Sequence, residues 1–118
     1  MNEELKTLFA DGINVNGEII PITHLKYTGK SKRFITWTLL DETPIFSAND
    51  EQLFSVCSLD IDIYSDGNYL DIIKEIKKLM KNNEWVWVGD SPEMYEDDTE
   101  LYHKTCSFEK ERNLVWQE

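Results

Sequence analysis

The chain reads as an α+β domain: a mostly antiparallel sheet of four to five strands, with an N-terminal helix and one central amphipathic helix packed on one face. Three observations predict it. Extended runs rich in β-branched and aromatic residues stand before and after one helical stretch. One of them, Leu53 to Tyr64, alternates with a period of two along most of its length. Between the two strand groups, Ile72, Ile73, Ile76, Leu79 and Met80 project onto about a third of a helical turn. The order expected is helix, three strands, helix, two strands. The 118 residues are expected to form a single domain ending in a flexible tail over residues 113–118.

The first segment, Asn2 to Ala10, is predicted to be a short helix. Asn2 can cap it, Glu3 and Glu4 suit the positive end of its dipole, and Leu5, Leu8 and Phe9 share a face. Asp11-Gly12 stops it. After Asn16-Gly17 the pattern becomes extended, and Ile22–Thr28 and Arg33–Leu40 read as two strands joined in a hairpin across Gly29. Asp41-Glu42-Thr43-Pro44 is expected to close the second strand, with Ile45 to Gln52 a longer connection.

In the third strand Leu53, Cys57, Leu59, Ile61 and Ile63 collect on one face, while Ser58, Asp60 and Asp62 make the second half of the other face wet. Ser65-Asp66-Gly67-Asn68 ends that strand and caps a helix from about Tyr69 to Asn82. Lys74, Lys77, Lys78 and Lys81 stand opposite its apolar stripe and read as a solvated face. Trp85-Val86-Trp87-Val88 is a fourth strand, terminated by Gly89-Asp90-Ser91-Pro92. The last strand runs from Leu101 to Arg112.

Composition narrows the function. The hydrophobic fraction of 41% and aromatic fraction of 12% are those of a globular protein. Twelve basic residues against twenty-three acidic ones give a formal charge of −11, the wrong sign for gripping a nucleic-acid backbone. The longest fully apolar run is Trp85–Val88, far short of the ~20 residues that cross a bilayer, and Met1–Lys6 has no signal-peptide character. Cys57 and Cys106 read as small buried thiols, kept reduced in a cytosolic assembly.

No constellation for chemistry emerges. A zinc site from His24, Cys57, His103 and Cys106 fails because residues three apart on a strand point to opposite faces. Asp60 and Asp62 share a face that a metal could use, although strand carboxylates of this kind are ordinarily solvated. Neither His lies beside a plausible nucleophile, and no Gly-rich phosphate loop is present. From Asp90 to Glu100 there are six acidic residues and no basic one. Within this stretch, the loop Tyr95-Glu96-Asp97-Asp98-Thr99-Glu100 could offer carboxylates to calcium but lacks the glycine and distal Glu of an EF-hand. With Tyr95 and Tyr102 flanking it, it suits a protein interface, and Tyr95, Asp97, Asp98 and Tyr102 are the candidate contact residues.

Two phrases carry a resemblance. The first is Pro21-Ile22-Thr23-His24-Leu25-Lys26-Tyr27-Thr28-Gly29-Lys30 running into Phe34-Ile35-Thr36-Trp37. The second joins Leu59-Asp60-Ile61-Asp62-Ile63-Tyr64-Ser65 and the following helix to Tyr95-Glu96-Asp97-Asp98-Thr99 and Leu101-Tyr102-His103-Lys104. Over roughly residues 1 to 112 the chain resembles the tail terminator and head–tail joining proteins of long-tailed bacteriophages and prophages of Gram-positive bacteria. In that family Gly commonly follows the acidic tyrosine phrase, where this chain has Glu100.

The resemblance implies a non-enzymatic virion protein without cofactor, assembling as a homo-hexameric ring. Such a ring caps the tail tube protein, meets the head–tail connector, and lets DNA pass through its lumen. It implies residence in the host cytoplasm during assembly and in the tail or neck of the virion afterwards, with Tyr95, Asp97, Asp98 and Tyr102 in a subunit or tail-tube contact. A related neck adaptor, an acidic DNA mimic that blocks a host DNA-binding protein, and an enzyme of unknown type are the alternatives.

Overall fold

The computed structural model describes residues 2–46 and 52–113. The middle of the expected Ile45–Gln52 connection and nearly all of the expected C-terminal tail lie outside them. Helix α1 spans Asn2–Leu8, with Glu3 and Glu4 in its first turn and Leu5 buried. Strands β1 (Ile13–Val15) and β2 (Glu18–Ile20) pair antiparallel. Asn16 and Gly17 between them have φ of 53° and 91°, the positive angles that a tight two-residue turn requires.

Strand β3 (Ile22–His24) pairs in parallel with β4 (Arg33–Phe46), with Ile22 opposite Ile35 and His24 opposite Trp37. The expected hairpin across Gly29 is therefore not formed. Leu25, at φ 69°, turns the chain out of β3 while its N–H donates to the carbonyl of Trp37 at 2.9 Å. Tyr27 then stacks on Phe34 instead of entering a ladder. Nor does β4 stop at Asp41–Pro44. It bulges at Leu40 and continues, paired antiparallel with β5 (Gln52–Ser65). Among the described residues only β3 pairs with the other edge of β4, over residues 35–37, so Pro44 meets no ladder partner there and its missing N–H costs no ladder bond.

Helix α2 (Leu70–Asn82) buries Ile72, Ile73, Ile76 and Met80, the stripe expected of it. Strands β6 (Val86–Asp90) and β7 (Met94–Glu96) both pair with the same edge of β8 (Leu101–Asn113), which lies antiparallel beside β5. Ser91 bridges the gap between them, its N–H donating to Thr105 O and its Oγ accepting from Thr105 N–H, at 2.8 and 2.9 Å.

The fold is thus α+β, with more strands than expected: a two-stranded hairpin and a six-stranded sheet ordered β3-β4-β5-β8-β6 with β7 also on β8. The order along the chain is helix, five strands, helix, three strands. All but the β3–β4 pairing are antiparallel. One core joins Leu5 and Phe9, the β1–β2 hairpin and the α2 stripe to Ile35, Trp37, Leu59, Ile61, Ile63, Cys106 and Phe108 on one face of the sheet. The strands of 13 to 14 residues span roughly 45 Å, against about 20 Å for the 13-residue α2. Asp41 to Ile45 are accordingly exposed.

Candidate functional site

Among the described residues, no helix packs on the opposite face of the sheet, and its cross-strand rows are set by register. Phe34, Tyr64 and His103 lie opposite one another on β4, β5 and β8. With Tyr27 they form a continuous stack whose centroids are 4.4, 4.7 and 4.2 Å apart and whose planes are within 18° of parallel. The next rows hold Asp62 and Asp60. These carboxylates are half-buried and not the wet groups expected. Asp62 Oδ1 accepts from Thr105 Oγ1 at 2.5 Å and lies 3.1 Å from His103 Nε2, while Asp60 Oδ1 accepts from Ser107 Oγ at 2.7 Å. Sequence-neighbouring acids become structural acceptors because register places hydroxyls directly opposite them. Burial raises the Tyr64 phenol above its ordinary range, and the charges of Asp62 and Glu96 add to the effect.

Of the four candidate contact residues, the structure brings two together. Tyr95 on β7 pairs with Tyr102 on β8, their rings edge-on at 5.1 Å. Tyr102 also leans on Tyr69 at 6.3 Å, and the Tyr69 hydroxyl donates to Glu93. That hydrogen bond, with burial, pushes the Tyr69 pKa up to about 12. Tyr95 is 49% exposed. Asp97 and Asp98 lie apart from this pair, both exposed, in the four-residue turn between β7 and β8. Glu100 closes that turn at φ 59°, its N–H donating to Glu96 O at 2.8 Å.

Two further surfaces escape sequence reasoning. Residues 19–40 contain four basic side chains and no acidic one, a counter-charge to the 90–100 segment that composition alone could have revealed. Of these, Arg33 is turned inward to Glu18 and Asp71 at 2.6 and 2.8 Å. Lys26, Lys30 and Lys32 remain exposed on the loop between β3 and β4. The second surface is the β6 edge, where Val86, Trp87 and Val88 are each at least half exposed. Lys77 Nζ lies 4.0 Å over the Trp87 ring and 3.2 Å from Asp90, which also accepts from Trp87 Nε1 at 2.7 Å. Burial works against the Asp90 carboxylate, but hydrogen bonds from Trp87, Cys106 and Lys77 outweigh it and hold the pKa low.

Among the described residues, no three His, Cys, Asp or Glu side chains converge as metal ligands. His103 and Cys106 point to opposite faces of β8, the first on the open face and the second in the core. Both cysteines are free and buried. Among the described residues, no helix is long and apolar enough to cross a membrane. Compared with known proteins, the chain matches no family model and no curated protein.

Proposed function

We propose that this chain is a ring-forming tail terminator that caps a phage tail tube and joins it to the head connector, performing no reaction. The observation that carries the reading is the distribution of exposed apolar groups in a small acidic fold. Among the described residues, Val86, Trp87, Val88, Met94 and Tyr95 lie along one edge of the sheet that no strand pairs, and Leu40 and Ile45 along the other. Exposed apolar edges invite self-association, and a closed ring covers both edges of every copy. A net charge of −11 suits a lumen that repels passing duplex and lets it leave. The partners are then further copies of the chain, the tail tube protein and the connector, and the location is the tail or neck of the virion.

The DNA-mimic reading requires outward carboxylates spaced like phosphates over one face. Here Asp60 and Asp62, the carboxylates that alternate along one strand face, are half-buried and engaged by Ser107, Thr105 and His103. A neck adaptor would use the same edges and remains the nearer relative of the proposal.

The test is electron microscopy of particles from a strain lacking the protein, together with the protein content of purified virions. Heads lying beside overlong or unjoined tails, and about six copies per complete particle, are expected. Normal particles, or virions without the chain, would remove the assignment. Asp97→Lys with Asp98→Lys should leave the fold intact and impair joining.

A further inference from the structure

We propose that the pocket where the β5–α2 turn meets the segment between β6 and β7 receives an arginine side chain of a partner protein. This holds whether or not copies of the chain form a ring.

The pocket has a volume of about 550 Å³, and Asp66, Tyr69, Leu70, Glu93 and Tyr102 line it. Among the described residues no basic side chain does so. Asp66 stands in the turn after β5 and Glu93 just ahead of β7, so two exposed carboxylates meet one pocket from separate parts of the chain. Among the described residues neither makes an ion pair.

Glu93 is held in place. The Tyr69 hydroxyl donates to its Oε2, and a phenol with a pKa of about 12 remains the donor at neutral pH. That bond leaves Oε1 for a ligand. A carboxylate fixed beforehand loses little further freedom when a cation arrives.

The rings supply the second attraction. Tyr69 and Tyr102 lie 6.3 Å apart with planes tilted by 50°, unlike the near-parallel Phe34 row, so they do not cover each other's faces. Tyr102 is half-buried and keeps surface at the pocket. A cation is drawn to a tyrosine face. A guanidinium suits this site better than an ammonium, because it is planar, weakly hydrated and can fork onto a carboxylate. Leu70, exposed and also lining the pocket, offers apolar surface to the methylene stem.

The start of α2 does not make this an anion site. Leu70 N–H donates to Asn68 Oδ1 at 3.0 Å and Ile72 N–H to Asp71 Oδ1 at 2.8 Å, so the chain's own side chains take up these leading donors. The net charge of −11 draws basic partners toward the surface.

NMR titration of the full chain tests this with N-acetyl-arginine amide, its lysine counterpart and the neutral citrulline isostere. The arginine amide should shift the Tyr69 and Tyr102 ring signals and saturate in the millimolar range. Lysine should bind roughly threefold more weakly and citrulline not at all. An arginine within a Gly/Ser peptide should bind at least as well as the amide. Glu93→Gln should weaken arginine binding roughly fivefold and Asp66→Asn roughly twofold, both at exposed positions that leave the far-UV spectrum unchanged. Tyr102→Leu should weaken it about threefold, whereas Tyr102→Phe keeps the ring and the affinity.

Citrulline binding as well as arginine, or Glu93→Gln binding like the wild type, would overturn the proposal. Calcium shifting these signals where arginine does not would assign the carboxylates to a metal ion and overturn it too. Spermidine bound more tightly than the arginine peptide would assign the pocket to a polyamine, with the same result. Each of these outcomes leaves the ring reading to virion microscopy.

Discussion

The ring of Tyr27 lies over the Cα of Gly29, in the space that a side chain at position 29 would need. The glycine is there for the close approach of an aromatic ring, since its own φ is not positive. Gly29→Ala should push Tyr27 off Phe34 and loosen the lysine loop. The expected cost is about 1–3 kcal/mol, the range for overpacking, read as a lower thermal midpoint and a weaker near-UV signal. An unchanged midpoint would mean that the ring moves aside freely.

Glu100 occupies the left-handed region at φ 59° to close the β7–β8 turn. A side chain with a Cβ is strained there by roughly 1 kcal/mol, and glycine is not. Glu100→Gly should therefore raise the urea midpoint slightly, although it removes a turn carboxylate. Glu100→Val should lower it, because a β-branched residue fits this region worst. A Gly variant less stable than the Val variant would contradict the assigned turn.

Arg33 ties three elements together: Nη1 reaches Glu18 on β2 and Nη2 both oxygens of Asp71 at the start of α2. Its Nε is buried and has no partner among the described residues. These groups are a fifth to a half exposed, so solvent reduces what each pair is worth. Asp71→Asn should cost about 1 kcal/mol and Glu18→Gln only a few tenths, measured by denaturation with Arg33→Ala closing the double-mutant cycles. Equal effects would deny the fork on Asp71 its larger share.

Period-two and helical spacing make the middle of the fold legible. The alternation is strictest at Cys57, Leu59, Ile61 and Ile63, all with no exposed surface, and the α2 stripe is buried as its projection requires. Periodicity does not reveal the β1–β2 hairpin, although Asn16-Gly17 marks its turn, because strands of three residues are too short to show a period. The parallel placement of β3 has no local signal. It follows from burying Ile22 beside Ile35 and stacking His24 on Trp37, a tertiary preference that overrides the turn suggested by Gly29. At the site, Tyr95 and Tyr102 can be paired from the acidic segment they flank. The Phe34–Tyr64–His103 row cannot, since it depends on register among three strands far apart in sequence.

Two buried acids of high pKa make stability fall at alkaline pH. Burial, with the nearby Asp90 carboxylate, lifts Cys106 from an ordinary 9.0 to about 12. The hydrogen bond to Glu93 and burial lift Tyr69 from 10.0 to about 12. In each case the folded chain keeps a proton that the unfolded chain releases, so the unfolded state gains as pH rises between the two values. Urea midpoints should be level with respect to these two groups from neutrality to near pH 9, and decline from there toward pH 12. Cys106→Ala should flatten the earlier part of the decline and Tyr69→Phe the later part, each against its own lower baseline. The same burial should protect the Cys106 thiol from alkylation at about pH 8 until the chain is unfolded. Rapid labelling of the native protein at that position would show the thiol to be accessible and the alkaline argument to be misplaced.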